Sequence, residues 1–328
     1  MLINYFLTGA SSLAAAIPLI FILEKIFLKN KVLISRQGVP LIGGIGIALA
    51  FIIACAFGHY LFILPAKFIK GILTASFIML AFGIFDDLRE LSVATKFLVQ
   101  IVATSILVMF GVKTQIMHIG PIANIFITFI WVLGITNALN HLDVIDGLAA
   151  GVALIVSLAF FSLSLPGAEI QIGIACLSLA AASLGFLLYN FPPAKVYMGN
   201  SGSHFLGFVL AAAALTISYA PAGKEPALFA PLLILGLPIL DTGLLIVLRT
   251  MKKILPFQKS NDHLALRFLA MGCSKKKALV YMLGLCLFFA CCGVILARLP
   301  LFFGLCAAAA SVFIGLAVSL KMSKVSID

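Results

Sequence analysis

Apolar runs long enough to cross the ~30 Å hydrocarbon core of a bilayer, for which about 20 residues suffice, follow one another along the whole chain with short polar breaks between them. The pattern predicts eleven helical spans, near 2–24, 41–60, 67–85, 96–112, 121–136, 147–165, 169–189, 203–220, 227–249, 278–297 and 300–320, with ten as the lower count because several are short or glycine-rich. The fold expected is all-α, a polytopic integral membrane protein in which residues 1–328 form one domain. No charge precedes Glu24 and basic residues follow it, the reverse of a signal peptide's charged start, so the first span is expected to stay in the mature protein.

Composition agrees with this reading. The 328 residues are 63% hydrophobic and 10% charged, with a mean hydropathy of +1.23, where soluble domains carry about 25% charged residues. The seven cysteines lie mostly inside apolar runs and show no metal-ligand spacing. A net charge of +11 could suit nucleic acid, but the basic residues flank the spans instead of forming one stripe. The expected partner is therefore the lipid bilayer and not nucleic acid.

Spans that alternate in direction place the segments 25–40, 86–95, 137–146, 190–202 and 250–277 on one side, together with the C-terminal tail. With the span-end residues Lys96 and Arg249 counted in, that side collects 17 of the 22 Lys and Arg residues, which makes it cytoplasmic and leaves the N-terminus outside. Among the acids, only Glu169 and Glu225 fall opposite. Acidic residues gain nothing from the rule that sorts the bases, so their gathering on the basic face points to a single site there.

Three segments carry the chemistry. In GIFDDLREL, Asp86 and Asp87 close an apolar run and Lys96 follows on the next helix. Such a carboxylate pair can hold a hard cation or take a proton, while a lysine neutralises phosphate. In NALNHLDVIDGLAAG, Asn137, Asn140, Asp143 and Asp146 recur every three residues, which puts four oxygen donors on one face if the segment is helical. In YMGNSGSHFLGF, the turn at Gly199, Ser201 and Gly202 opens an apolar helix, where free backbone N–H groups make an anion site or, more plainly, an interhelical turn. Asp241 lies inside a span, and ionisable residues there are functional by default. Metal-assisted phosphoryl chemistry on a lipid suits this set, and no Walker, GxGxxG or Ser-His-Asp motif competes with it.

Taken in order, DDLREL with Lys96 and Gln100, NALNHLDVIDGLAAG, PPAKVYMGNSGSHFLGF, PILDT and PFQKSNDHLALRF resemble the polyprenyl-phosphate N-acetylhexosamine-1-phosphate transferases of glycosyltransferase family 4. The resemblance runs from about Arg36, in RQGVPLIGGIGI, to Arg267. It implies transfer of a sugar-1-phosphate from a UDP-sugar to undecaprenyl or another polyprenyl phosphate with Mg²⁺, or Mn²⁺ in its place, on the cytoplasmic face of the inner membrane. Relatives of this kind begin O-antigen and teichoic-acid linkage synthesis, and the PFQKSNDH loop is most similar to GlcNAc-type members. A homodimer is the assembly considered.

The resemblance further implies that Asp86 polarises or deprotonates the lipid phosphate, that Lys96 contacts phosphate, and that His263 lies near the diphosphate and sugar. Asp87 and Asn200 would hold the metal. Asn137, Asn140, Asp143 and Asp146 would bind the nucleotide, Tyr197 would stack on uracil, and Gly199, Ser201, Gly202 and Arg267 would complete the substrate-binding set. Three departures stand out: Asn200 replaces the Asp of MGDxGS, Val144 replaces a Gly of DGxDG, and the HxHH loop keeps only His263 before Leu264, Ala265 and Leu266. They leave open a degenerate member that binds without turnover. A secondary transporter, suggested by span number alone, is the third reading.

Overall fold

In hydrocarbon every backbone N–H and C=O must find its partner within its own segment, and the apolar stretches accordingly fold as helices. The computed structural model describes residues 1–63, 67–117, 119–165, 169–220, 224–253 and 261–325. The helices in chain order are α1 (Leu2–Asn30), α2 (Gly43–Phe62), α3 (Lys67–Leu88), α4 (Val93–Met109), α5 (Gly120–Leu142), α6 (Leu148–Ser164), α7 (Ile170–Asn190) and α8 (Gly199–Thr216). A short 3₁₀ helix (Glu225–Phe229) precedes α9 (Ala230–Ile234), α10 (Gly236–Met251), α11 (Leu264–Ala270), α12 (Lys275–Arg298) and α13 (Leu301–Ser323). Among the described residues there is no strand, only an isolated bridge between Ile34 and Pro40.

Each of the eleven apolar stretches coincides with helix, but the helices differ in reach. Seven are long and apolar enough to cross a membrane: α1, α2, α3, α5, α7, α12 and α13. The segments Glu225–Ile234 and Gly236–Met251, bent by 73°, make an eighth if read as one broken span. Pro238 contributes to that break, because it has no N–H for the Ile234 carbonyl one turn back. The expected eleven is therefore reduced to seven or eight by length and composition. Helices α4 and α6 have 17 residues each and rise only about 26 Å, and α8 opens on the polar sequence GNSGSH. The chain is a multi-pass, all-α membrane protein.

Local signals set the helix ends that matter for the site. Ser92 caps α4, its Oγ accepting from the Thr95 N–H at 3.2 Å, and Ser274 caps α12 in the same way through Lys277 N–H at 3.3 Å. At the centre lies α8, buried continuously from Ser201 to Ala214 and packed against α2, α3, α5 and α6. Glycines bring its backbone close to its neighbours. A Cβ on Gly44 of α2 would lie 2.1 Å from Gly202 N, and one on Gly83 of α3 would lie 2.4 Å from Ser201 Cα. Small residues serve this purpose in membranes, where helix association depends on close packing.

Gly83→Ala is expected to destabilise the protein by about 1–3 kcal/mol, because α3 and α8 must separate to admit the methyl group. Gly284→Ala in α12, where an added Cβ meets nothing within 4 Å, is expected to leave stability unchanged or slightly raised. Thermal unfolding of the two purified variants in detergent checks the contrast.

Candidate active site

The two acids that close α3 have separate tasks. Asp86 is buried, its Oδ1 accepting from the Leu91 N–H at 2.8 Å and its Oδ2 lying 2.5 Å from Lys96 Nζ on the first turn of α4. Asp87 turns the other way, towards the start of α8. Its Oδ1 accepts from Asn200 N at 2.7 Å and its Oδ2 from Ser201 N at 3.0 Å. The first N–H groups of a helix have no partner inside it, and its N-terminus favours negative charge. The anion site expected at the Gly/Ser turn therefore exists, but a carboxylate of the same chain fills it. Gly199, at φ +73°, makes room, since a Cβ there would stand 2.6 Å from Asp87 Oδ2.

The repeat of oxygen-bearing residues in the next segment does not lie on one continuous helix. α5 stops at Leu142, with Asp143 as its C-cap, and Gly147 at φ +81° starts the turn into α6. Asn137, Asn140, Asp143 and Asp146 nevertheless face the same cavity. Asn137 pairs reciprocally with Gln100 of α4, donating to its Oε1 at 2.8 Å and accepting from its Nε2 at 3.1 Å. Asn140 Nδ2 donates to Asn200 Oδ1 at 3.0 Å and to Ser203 Oγ at 2.8 Å. Asp146 Oδ2 accepts from Ala194 N at 3.3 Å and faces Lys275 Nζ at 3.7 Å. The Asp143 carboxylate takes no hydrogen bond or ion pair from the described residues. Burial pushes it up to about 7, with the nearby charges of Asp87 and Asp146 adding to the effect.

Together these residues line one cavity of about 1260 Å³. Its wall takes Asp86, Asp87, Lys96, Asn137, Asn140, Asp143, Asp146, Tyr197, Gly199 and Asn200 from the residues nominated by the sequence. Tyr197 is held by a hydrogen bond from its hydroxyl to Gln37 Oε1, and its backbone N–H donates to Pro40 O at 2.9 Å. The α1–α2 connection is thereby tied to the start of α8, which carries Arg36 to the cavity.

Four nominated residues lie outside the lining. Ser201 and Gly202 form the contact of α8 with α3 and α2. His263, at the start of α11, is buried against Asp241 with Nδ1 2.9 Å from Oδ2. Arg267 is buried beneath the end of α13, donating to Met322 O at 2.9 Å, to Val325 O, and to Asp262 Oδ1 at 2.7 Å. An arginine that lines the cavity and that the sequence did not nominate is Arg249 of α10. No local spacing marks it, since Asp241, eight residues earlier and about 80° round the helix, lies outside the lining. Asn190 was also missed. It accepts from Gly147 N at 2.8 Å and donates to Val196 O at 2.8 Å, joining α6, α7 and the approach to α8. Residues 256–260, PFQKS, lie outside the described residues.

The wall therefore mixes the cations Arg36, Lys96, Arg249 and Lys275 with the acids Asp86, Asp87, Glu90, Asp143 and Asp146. Such a surface can hold a polyanion by its phosphates while presenting carboxylates to a proton or a cation.

Comparison with known proteins agrees with this chemistry. The model of "Glycosyl transferase family 4" matches residues 69–218, which hold Asp86, Lys96 and the whole α5–α8 part of the cavity but not Asp241 or His263. A protein of Bacillus subtilis named "Probable undecaprenyl-phosphate N-acetylglucosaminyl 1-phosphate transferase" is 34% identical over 227 residues, covering 65% of this chain and 62% of that protein. The chain thus spans less than two thirds of that relative. A "Decaprenyl-phosphate N-acetylglucosaminephosphotransferase" of Mycolicibacterium smegmatis is 33% identical over 277 residues, covering 74% of this chain and 68% of that protein. A "Phospho-N-acetylmuramoyl-pentapeptide-transferase" of Staphylococcus aureus is 30% identical over 213 residues, covering 56% of this chain and 64% of that protein. By sequence match, and by the convergence of the family's motif residues on one cavity, the chain belongs to glycosyltransferase family 4.

Proposed function

We propose that the protein transfers GlcNAc-1-phosphate from UDP-GlcNAc to undecaprenyl or another polyprenyl phosphate, at the cytoplasmic face of the inner membrane. An oxygen of the lipid phosphate attacks the phosphorus that bears the sugar, the bond to the uridine-side phosphate breaks, and UMP leaves. One observation carries this reading: carboxylates and cations from five separated segments converge on one cavity beside apolar helices. At about 1260 Å³ that cavity exceeds the roughly 300–1,000 Å³ of ordinary small-molecule sites, which suits two phosphate-bearing substrates. The names of the Bacillus subtilis and Mycolicibacterium smegmatis relatives support the sugar and the lipid. In this reading α4, α6 and α8 count as short spans, eleven in all, with the N-terminus outside and the C-terminus inside.

The residues fit Mg²⁺, or Mn²⁺ in its place. Among the described residues no three His, Cys, Asp or Glu groups stand at metal-ligand spacing, but Mg²⁺ is usually held by one or two carboxylates with waters and substrate phosphates. Asp87 and Asn200 are adjacent, and Asp143 is the cavity carboxylate that no described residue compensates. These three would hold the ion, whose chemistry when bound is to neutralise charge on the diphosphate. Lys96, Arg249 and Lys275 draw phosphate into the cavity. A lipid phosphate competing for Lys96 would release an Asp86 oxygen to accept its proton.

A second reading rests on Asn200. Its amide oxygen already accepts from Asn140, and it lacks the charge of an aspartate at that position. The protein would then bind its ligands without turning them over.

Lipid-dependent UMP release from UDP-GlcNAc with Mg²⁺ is the expected result for the purified protein, falling about 100-fold or more in Asp86→Asn. Silence across a panel of UDP-sugars would favour the second reading. Asn200→Asp is expected to tighten Mg²⁺ binding on the order of tenfold by adding a charged ligand, and calorimetry of the two proteins checks it.

The state of Asp143 gives a pH dependence with a definite sign. Its carboxyl stays protonated to about 7 in the folded protein, so the fold binds more protons than the unfolded chain between the ordinary aspartate range and that value. Stability without divalent cation is therefore expected to fall as pH rises through this window and to level off above it. Cation affinity is expected to rise over the same window, because the ion takes the carboxylate. Thermal unfolding in EDTA and Mg²⁺ titrations from about pH 5 to about pH 8 read both trends, and Asp143→Asn should flatten them.

A further inference from the structure

One buried pair of titratable groups lies outside the cavity wall and has no part in the reading above. Asp241 in α10 is 1% exposed and His263, at the start of α11, is 5% exposed. His263 Nδ1 stands 2.9 Å from Asp241 Oδ2, and the Leu264 N–H donates to Asp241 Oδ1 at 2.7 Å. One carboxylate thus caps the first turn of α11 and grips the ring at its N-cap. The pair is next to the cavity: the ring of His141, on α5 and in the cavity wall, has its centroid 6.3 Å from that of His263. Other charged groups near the pair are Arg249 of α10, within Coulomb reach of Asp241, and Asp262, which precedes His263 and pairs with Arg267 and Lys252.

An ionised carboxylate can only accept, so the nitrogen facing it carries the proton. A histidine tautomer is set by the partner of one ring nitrogen, and the other nitrogen is then left as an acceptor. We propose that Asp241 is a positioning residue: it fixes His263 in the Nδ1–H form, behind His141, with Nε2 as the open acceptor. The kinetic consequence rests on the transferase reading. The tautomer does not.

The test compares wild type with Asp241→Asn in the full chain. The asparagine Oδ1 still accepts the Leu264 N–H, so the start of α11 survives, while its Nδ2 donates to Nδ1 and reverses the tautomer. Isotope-labelled histidine and long-range proton–nitrogen correlation at alkaline pH, with His263 assigned by its loss in His263→Gln, read the tautomer directly. The expected result is Nδ1–H in wild type and Nε2–H in Asp241→Asn. With it should come a fall in kcat of about 10- to 100-fold, while the KM for UDP-sugar stays within about twofold. The double variant Asp241→Asn/His263→Gln should be no slower than His263→Gln alone, because Asp241 acts through the ring.

A wild-type His263 in the Nε2–H form would overturn the proposal, as would losses that add in the double variant. Wild-type protein inactive on every UDP-sugar would sink the transferase reading, and the tautomer comparison would still decide this one.

Discussion

The site depends on the carboxylate of Asp87 at the start of α8. Two backbone N–H groups without helical partners meet a negative charge there, at the positive end of the helix dipole. That contact pins the last turn of α3 to the first turn of α8. Adjacent residues on a helix point about 100° apart, so fixing Asp87 on α8 turns Asp86 towards α4 and Lys96. Two successive carboxylates thus take different partners in one cavity wall, Asp87 holding helices together and Asp86 standing beside a cation. Removing the carboxylate of Asp87 would leave α8 without its anion, and removing that of Asp86 would leave Lys96 without its partner.

Around that contact, neutral amides orient the wall and charged groups fill it. The reciprocal pair of Gln100 and Asn137 joins α4 to α5, and Asn140 joins α5 to α8 through Asn200 and Ser203. Asn190 ties the turn before α6 to the approach to α8. Amides satisfy each other at no net charge, so they hold elements together in a half-buried place without a desolvated ion. The ionised groups are then free to set the field inside the cavity.

Much of this was legible in the sequence, for reasons that can be stated. Apolar runs declared the helices because hydrocarbon admits little else, and polar residues at their ends marked the cavity because ions inside a membrane are costly. What escaped involved partners distant in sequence. The turn at Gly199 reads as an anion site, and nothing local says that Asp87, more than a hundred residues earlier, occupies it. The spacing of Asn137, Asn140, Asp143 and Asp146 reads as one helix face, yet α5 ends at Leu142 and the last two residues reach the cavity from a turn. Arg267, at the end of the last motif, reads as part of the substrate-binding set. The carbonyls that end α13 claim it instead, and Arg249 takes the place on the wall. The span count is least settled where helices are short, at α4, α6 and α8, since hydropathy records composition and not reach.

The near-contact of Gly44 with Gly202 leaves neither of the two residues a side chain whose exchange could tune the spacing of α2 and α8. Most positions in a protein drift by trading one side chain for another of similar size, but a crossing made of bare backbone offers nothing to trade. The exposed apolar faces of α1 and α13, by contrast, meet only whatever surrounds the protein. Divergence in this chain therefore has somewhere harmless to accumulate. Its periphery can change with the lipids of its host while the carboxylates at the centre keep their places.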